Sequence, residues 1–245
     1  MLSWVKIKGL DYNNTIQLKP LTLLYGANNS GISKGIASIL YVIDTYSAMQ
    51  RFYKERKNYV YIGGPKNPAT LGESLDYIEA KVTEDSDELE ISGIELESLS
   101  HTVKMASNCQ VETLDEWEDS YCINKKLLDK HIEDLDLTQE IDSLDTRLHL
   151  LINALSWAQS GDIIIVEHPE VHLDILLQYK LGTLLTLLAE SSILINNNIQ
   201  LIVETCSPII EQIISEKIND QTSAIQSSYF ISNRVLDNRK HDYSI

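Results

Sequence analysis

The sequence is poor in cysteine and has no long apolar run. Its 245 residues include three cysteines, Cys109, Cys122 and Cys206, and their spacing matches no common metal-ligand motif. Their odd number also argues against a disulfide framework. The longest nearly apolar stretch, residues 173–189, is interrupted by polar and charged side chains, whereas a membrane-spanning helix needs about 18 apolar residues in succession. We therefore expect neither a disulfide scaffold nor a membrane protein.

Basic residues are scarce as well. Lys and Arg number 20 against 36 Asp and Glu, which gives a net charge of -16. Basic patches supply most of the affinity for nucleic-acid phosphates, so direct nucleic-acid binding is disfavoured. Lys54, Arg56 and Lys57 form one local basic cluster, which a solvated helix end explains more simply than a phosphate-binding patch. The first residues lack a signal-peptide pattern, and we expect a cytoplasmic protein.

The most informative absence is that of one lysine. Residues 26–33 (Gly-Ala-Asn-Asn-Ser-Gly-Ile-Ser) follow an apolar run and precede a helical pattern, which is the context of the phosphate-binding loop G-x-x-x-x-G-K-[ST]. Two glycines at this spacing let backbone N–H groups face an anion near a helix N-terminus. Ile32 stands where the lysine belongs. The candidate nucleotide-binding residues are Gly26, Asn28, Asn29, Ser30, Gly31, Ile32, Ser33 and Lys34.

Two neighbours of Ile32 bear on the chemistry of this loop. Ser33 has the hydroxyl expected to ligate Mg²⁺. Lys34 lies two residues past Ile32, about 200° around a helix axis, so we expect it to point away from the phosphates. Loss of a hydrogen bond to a charged group costs about 1.5–3 kcal/mol. The sequence therefore predicts that binding of ATP and Mg²⁺ is weakened.

Hydrophobic patterning predicts an α/β fold. Alternation predicts strands within residues 2–25 and near 59–65, 75–82, 89–96 and 228–232, and continuous apolar runs predict buried strands at 162–167 and 199–205. Helical spacing appears over 34–53, 144–160 and 172–190, and again after Pro208. This order predicts a mainly parallel core sheet flanked by helices, with an N-terminal antiparallel β lobe. We expect a single domain, residues 1–245, with a variable acidic insertion at about 84–140.

Carboxylates follow the first of the two buried strands. Glu167 ends the run 162–167, where a strand-tip carboxylate commonly holds Mg²⁺, and His168 follows where a group that polarises the attacking water is expected. Glu170 could ligate a metal together with Glu167, or it could stabilise a helix N-terminus. His172 could be a ligand or a base, although a packing residue at a helix start is the simpler interpretation.

Three segments resemble one family. They are residues 18–31 (Leu-Lys-Pro-Leu-Thr-Leu-Leu-Tyr-Gly-Ala-Asn-Asn-Ser-Gly), 164–173 (Ile-Ile-Val-Glu-His-Pro-Glu-Val-His-Leu) and 203–208 (Val-Glu-Thr-Cys-Ser-Pro). In this order they resemble motifs of the ABC/SMC-like AAA ATPases, which include the overcoming-lysogenization-defect class and other bacterial defence ATPases. The resemblance implies a P-loop NTPase fold of the ABC-type head and pairing of two heads face to face around nucleotide.

The departures from the family pattern fall on catalytic positions. Ile32 replaces the loop lysine, His168 replaces the water-polarising residue, and Cys206 replaces the switch histidine. A glycine- and serine-rich signature segment is also missing from the sequence. The loop glycines and Pro169 agree with the pattern, so the scaffold is retained while the catalytic groups are changed.

The sequence therefore favours a degenerate ATPase, or pseudo-ATPase, that acts as a dimerising or regulatory subunit. It would form a homodimer or a heterodimer with an intact ATPase subunit, in a setting such as a bacterial defence system that the resemblance alone implies. One alternative is a weak but active Mg-dependent ATPase, with Ser33 and Glu167 as metal ligands and His168 as base. Another is a scaffold that binds no nucleotide.

Overall fold

The computed structural model describes residues 2–8, 14–27, 32, 35–36, 39–40, 59–62, 77–84, 87–92, 125–137, 147–158, 160–191, 193–219, 224–231 and 234–237. Ten strands and five helices have assigned bounds within these ranges. None of these helices combines the length and apolar character that crossing a bilayer would require.

The helices with assigned bounds lie in the second half of the chain, and strands occur in both halves. The strands are β1 (Leu2–Lys8), β2 (Asn14–Gln17), β3 (Leu21–Gly26), β4 (Tyr59–Ile62), β5 (Tyr77–Glu84), β6 (Asp87–Ser92), β7 (Ile163–Glu167), β8 (Gln200–Thr205), β9 (Ile225–Ile231) and β10 (Arg234–Asp237). The helices are α1 (Lys125–Asp134), α2 (Arg147–Trp157), α3 (Ile175–Glu190), α4 (Ile193–Asn196) and α5 (Pro208–Asn219).

The strands form two sheets. The larger has the order β10-β9-β3-β8-β7-β4, in which β9, β3, β8, β7 and β4 run parallel and β10 pairs antiparallel with β9. The smaller sheet, β2-β1-β5-β6, is antiparallel throughout. The predicted α/β class, with a mainly parallel sheet flanked by helices, is confirmed.

The central strands are apolar because both faces of the parallel sheet are covered. β7 and β8 are buried at every position. Alternate residues of β3, β7 and β8 belong to one core cluster, in which they pack with apolar residues of α2, α3 and α5. These strand residues are Leu21, Leu23, Ile164, Val166, Leu201 and Val203.

Helix α3 begins at Ile175, three residues later than its periodicity predicts. His172 has a left-handed backbone with φ 68°, which a helix cannot include. Asp174 is the N-cap, and its carboxylate accepts a hydrogen bond from Leu177 N at 2.8 Å. The capping carboxylate thus sets the start of the helix.

Several predicted elements differ from the structure or lie outside the described residues. Most of the helix predicted over 34–53 lies outside, although Gly35, Ile36, Ile39 and Leu40 are helical and buried. Much of the acidic segment at 84–140 also lies outside, and its described parts are β6 and α1. Strand β9 begins at Ile225 rather than at 228, because its early residues pair with β3 from Leu21 onward. Helices α1 and α4 and strand β10 were not predicted.

Candidate functional site

The candidate site lies at the carboxyl-terminal edge of the parallel sheet. Strands β3, β8 and β7 are consecutive neighbours in it, and ligands of open α/β sheets bind beyond such strand ends. The loop that follows Gly26 therefore starts at the same edge as the segments that follow Glu167 and Thr205. The topology brings the three family-like segments together although two of them are far from the first in sequence.

The phosphate-loop residues are described only in part. Gly26 is the last residue of β3 and is buried, and Ile32 is helical and 4% exposed. An apolar, buried side chain thus occupies the position of the loop lysine. The other predicted contacts, Asn28, Asn29, Ser30, Gly31, Ser33 and Lys34, lie outside the described residues.

Three buried carboxylates surround one histidine at this edge. Glu167, Glu170 and Glu204 are 3%, 8% and 3% exposed. His168 Nδ1 lies 3.3 Å from Glu170 Oε1, and His168 Nε2 lies 3.6 Å from Glu204 Oε1. Both ring nitrogens therefore face carboxylates.

The backbone after β7 makes a tight turn that places these groups. His168 has φ 47°, and its N–H donates to the carbonyl of Glu204 at 2.7 Å, extending the contact between β7 and β8 by one residue. Val171 N donates to the carbonyl of His168, and Leu173 N donates to the carbonyl of Glu170. A left-handed non-glycine residue costs of the order of 1–3 kcal/mol and persists when its surroundings hold it.

Glu170 connects this turn to the segment after β8. Its Oε1 accepts hydrogen bonds from Cys206 N at 3.0 Å and from Cys206 Sγ at 3.4 Å. Glu170 does not lie at the N-terminus of α3, which begins five residues later. Its carboxylate instead contacts Cys206, two residues before α5 begins. The predicted packing role of His172 is wrong, since this residue is exposed and precedes the helix.

Charge and burial shift the pKa values within the cluster. The hydrogen bond that His168 donates to Glu170 raises the pKa of His168 above 6.5, and the charges of Glu204, Glu170 and Glu167 outweigh the opposing effect of burial. Burial acts to raise the pKa of Glu170, but the hydrogen bonds from His168 and Cys206 N outweigh it and the pKa falls below 4.5. Burial and the Glu170 charge raise the pKa of the Cys206 thiol. The surrounding carboxylates thus favour the protonated form of His168.

A second set of polar contacts holds the two segments in place. Ser207 Oγ donates to Gln178 Oε1 at 2.8 Å, and Gln178 Nε2 donates to the carbonyl of Leu173 at 2.9 Å. Ser207 Oγ also accepts from Ile210 N in the first turn of α5. Arg147, at the start of α2, donates to the carbonyl of Glu167. Side chains of two helices, α2 and α3, and of Ser207 just before α5 therefore hold the segments after β7 and β8.

The sequence places Glu204 in the family-like segment 203–208 but assigns it no role of its own, and it does not predict the contact between Glu170 and Cys206. Glu204 and Glu167 are register partners on neighbouring parallel strands. A signal for this pairing exists in the sequence, because both strands contain Ile-Val-Glu, at 165–167 and at 202–204. Aligning these two triplets would have placed the two carboxylates side by side.

Comparison with known proteins finds solved structures that are similar at low sequence identity. The chain is similar to a solved structure of the SMC head domain from Thermotoga maritima, with 14% identity over 96% of this chain and 97% of that one and a TM-score of 0.48. It is also similar to a structure of the SmcHead bound to the C-winged helix domain of ScpA, with 12% identity, the same coverage and a TM-score of 0.44. No protein-family model matches the chain, and no curated protein matches it. At these TM-scores we draw no functional conclusion from either structure.

Proposed function

We propose that the chain is an ATPase-like head that retains the nucleotide-binding plan, has lost effective hydrolysis, and acts as a dimerising or regulatory subunit. The parallel sheet supports the first part, because it brings the glycine loop after β3 to the same edge as Glu167. In this proposal Glu167 and Ser33 hold Mg²⁺, and the loop backbone holds the phosphates.

The position of His168 is the main observation that supports the proposed loss of hydrolysis. A general base must have an atom free to accept a proton from the attacking water. The two ring nitrogens of His168 lie 3.3 Å and 3.6 Å from carboxylate oxygens of Glu170 and Glu204. This arrangement favours a histidine that is held by its neighbours over one that activates water, and it argues against the alternative of a weak active ATPase.

Ile32 supports the same conclusion. Phosphoryl transfer depends on positive charge placed on the phosphate oxygens. A buried isoleucine provides none.

A charge-restoring substitution tests the proposal. Ile32→Lys is compared with Ile32→Met, which changes the shape of the side chain without adding charge. We expect Ile32→Lys to lower the Kd for Mg-ATP by about tenfold or more, and Ile32→Met to leave it unchanged. Calorimetric titration measures the binding, and phosphate release measures the turnover.

The two alternatives give different results in the same experiment. Wild-type turnover well above background that disappears in Glu167→Ala would establish an active ATPase and overturn the proposal. Absence of ATP binding in both wild type and Ile32→Lys, with the fold intact by circular dichroism, would favour the scaffold that binds no nucleotide.

An exposed apolar patch supports the dimerising role. Ile175, Leu176 and Tyr179 lie in the first turns of α3, directly after the site, and each is more than half exposed. Burying one such side chain at an interface contributes about 1.5–3 kcal/mol. We propose that this patch contacts a second head, either a copy of this chain or an intact ATPase subunit.

Light scattering after size exclusion tests this contact. Leu176→Glu should shift a homodimer toward the monomer, while Ile195→Glu, at an exposed apolar residue of α4, should leave the mass unchanged. An equal effect of both substitutions, or a dimer unaffected by Leu176→Glu, would contradict a homodimer formed through this patch.

A further inference from the structure

Three potential metal ligands of different chemistry meet beside the sheet edge. His168, Glu170 and Cys206 each offer one ligand atom, and these atoms all lie within 4.8 Å of one another. They come from the two segments that follow β7 and β8. The set contains one nitrogen, one oxygen and one sulfur donor, and it differs from the Ser33 and Glu167 pair proposed for Mg²⁺.

Two of the three separations between these atoms match the edges of a tetrahedral site. Zinc binds nitrogen and oxygen at about 2.0–2.2 Å and sulfur at about 2.3 Å, which places tetrahedral ligands about 3.3–3.6 Å apart. His168 Nδ1 lies 3.3 Å from Glu170 Oε1, and Cys206 Sγ lies 3.4 Å from the same oxygen. A metal could therefore replace the protons of the two hydrogen bonds that Glu170 Oε1 accepts, while His168 Nδ1 and Cys206 Sγ lie within 4.8 Å of each other.

A hydrogen-bonded triad would have similar distances, so other observations must distinguish the two. One is Glu170 Oε2, which is buried and has no hydrogen-bond partner among the residues that the structure describes. A buried carboxylate oxygen left unsatisfied costs free energy. A cation bound through both oxygens of this carboxylate would give Oε2 a partner and remove that cost.

The environment of His168 is a second observation. Metal-bound histidines commonly give their other ring N–H to a carboxylate, which fixes the tautomer and the orientation of the ring. Glu204 Oε1 lies 3.6 Å from His168 Nε2, on the ring nitrogen opposite Nδ1. This places a carboxylate where a supporting partner of the ligand is required.

We propose that His168 Nδ1, Glu170 and Cys206 Sγ form a site for one transition-metal ion of the zinc class, with a fourth position open to solvent. Sulfur and imidazole donors favour zinc-class ions over Mg²⁺, which prefers oxygen. Binding displaces the Nδ1 and thiol protons to solvent, so up to two protons are released for each metal ion bound. Cys206 is exposed, which gives the ion a path to the site.

The site goes beyond the proposed ATPase-like function and does not depend on it. Metal binding is measured in the absence of nucleotide, whereas the ATPase proposal is measured with Mg-ATP and the Ile32 variants. Either can fail while the other holds.

Metal-free protein titrated with Zn²⁺ and with Co²⁺ tests the proposal. We expect about one ion per chain, proton release on binding, and a cobalt spectrum with a thiolate charge-transfer band that Cys206→Ser removes. Glu204→Gln should raise the Kd about 10–100-fold, as loss of a supporting partner does. Loss of a ligand in His168→Asn or Cys206→Ser should raise it further.

Two controls separate this site from other metal binding. His172→Asn changes a nearby exposed histidine that also has positive φ, so it matches the backbone demands of His168→Asn and should leave the Kd unchanged. Protection of Cys206 from alkylation by Zn²⁺, mapped by mass spectrometry in the wild-type chain, needs no variant that must fold. No stoichiometric binding, no protection of Cys206, or equal effects of the two histidine variants would overturn the proposal.

Discussion

The pairing of His168 with Glu170 allows a direct measurement of how the site is held together. Asn replaces His168 in one variant because Asn accepts positive φ, and Gln replaces Glu170 in another. With the double variant they form a thermodynamic cycle whose coupling free energy reports the pair alone. All measurements include a chelator, so that no metal ion contributes to stability.

The expected magnitude follows from distance and burial. A hydrogen bond to a charged group contributes about 1.5–3 kcal/mol. The Nδ1 to Oε1 distance is 3.3 Å, longer than the roughly 2.7–2.9 Å of strong charge-assisted bonds. Glu170 is nearly buried but the side chain of His168 is 29% exposed. We therefore expect a coupling near the lower limit, about 1.5 kcal/mol at about pH 5.5.

The sign of the pH dependence follows from the two pKa shifts. The pKa of His168 is raised in the folded chain. Its contribution to the free energy of unfolding is therefore complete below pH 6.5 and is lost as the pH rises through the pKa of the folded state. The pKa of Glu170 is lowered, so its contribution is complete above 4.5 and is lost as the pH falls through the folded value. The coupling is therefore largest between pH 4.5 and 6.5. Glu204 and Glu167 also face His168 and keep its charge in this range.

Urea unfolding of the four proteins measures the coupling across this range. The difference in the free energy of unfolding between the wild type and His168→Asn should become smaller as the pH rises well above 6.5. A coupling below about 0.3 kcal/mol at every pH, within the usual error of additivity, would refute a charged pair. A coupling that does not change between acidic and alkaline pH would refute the assigned protonation.

Three further substitutions test the elements that support the site, each by urea unfolding. Ser207→Ala removes the bonds to Ile210 N at 3.3 Å and Gln178 Oε1 at 2.8 Å, and should cost about 1–2 kcal/mol; no loss would contradict a capping role. Asp174→Ala should cost about 1 kcal/mol, while Asp174→Asn keeps most of the cap; equal losses would contradict this. Gly182→Val adds atoms where a Cβ would already lie 2.9 Å from Ile213 Cδ1, and should lower the free energy of unfolding by about 1–3 kcal/mol; a neutral result would mean that the end of the Ile213 side chain can move aside.

The core strands could be predicted because a parallel strand covered on both faces is apolar at nearly every position. Residues 163–167 and 200–205 show this directly. Helix bounds were less accurate, since α3 starts where Asp174 caps it rather than where the apolar spacing begins. Helix α1 was missed in an acidic segment, although Leu128 and Ile132 are buried one helical turn apart.

The sequence predicted site residues within one segment, but not the contacts between residues of different segments. Glu167 and His168 follow a buried strand, and this position alone suggested a role in chemistry. The contact of Glu170 with Cys206 joins residues 36 positions apart, and it depends on β7 and β8 being neighbours in the sheet. Such a contact follows from strand order, which the apolar runs do not specify. The cysteine spacing likewise gave no metal signal, because the other two ligands come from a different segment.

Cation binding and phosphate hydrolysis need different charges at this edge of the sheet. Holding a cation requires negative groups that are buried and already close together, and Glu167, Glu170 and Glu204 meet this requirement. Hydrolysing a phosphate bond requires positive charge on the phosphoryl oxygens and a group free to accept a proton. Ile32 provides no charge, and both ring nitrogens of His168 face carboxylates. In the proposed function, His168 and Cys206 in place of the family's water-polarising residue and switch histidine disfavour hydrolysis, and the same two side chains beside Glu170 are the donors of the proposed metal site.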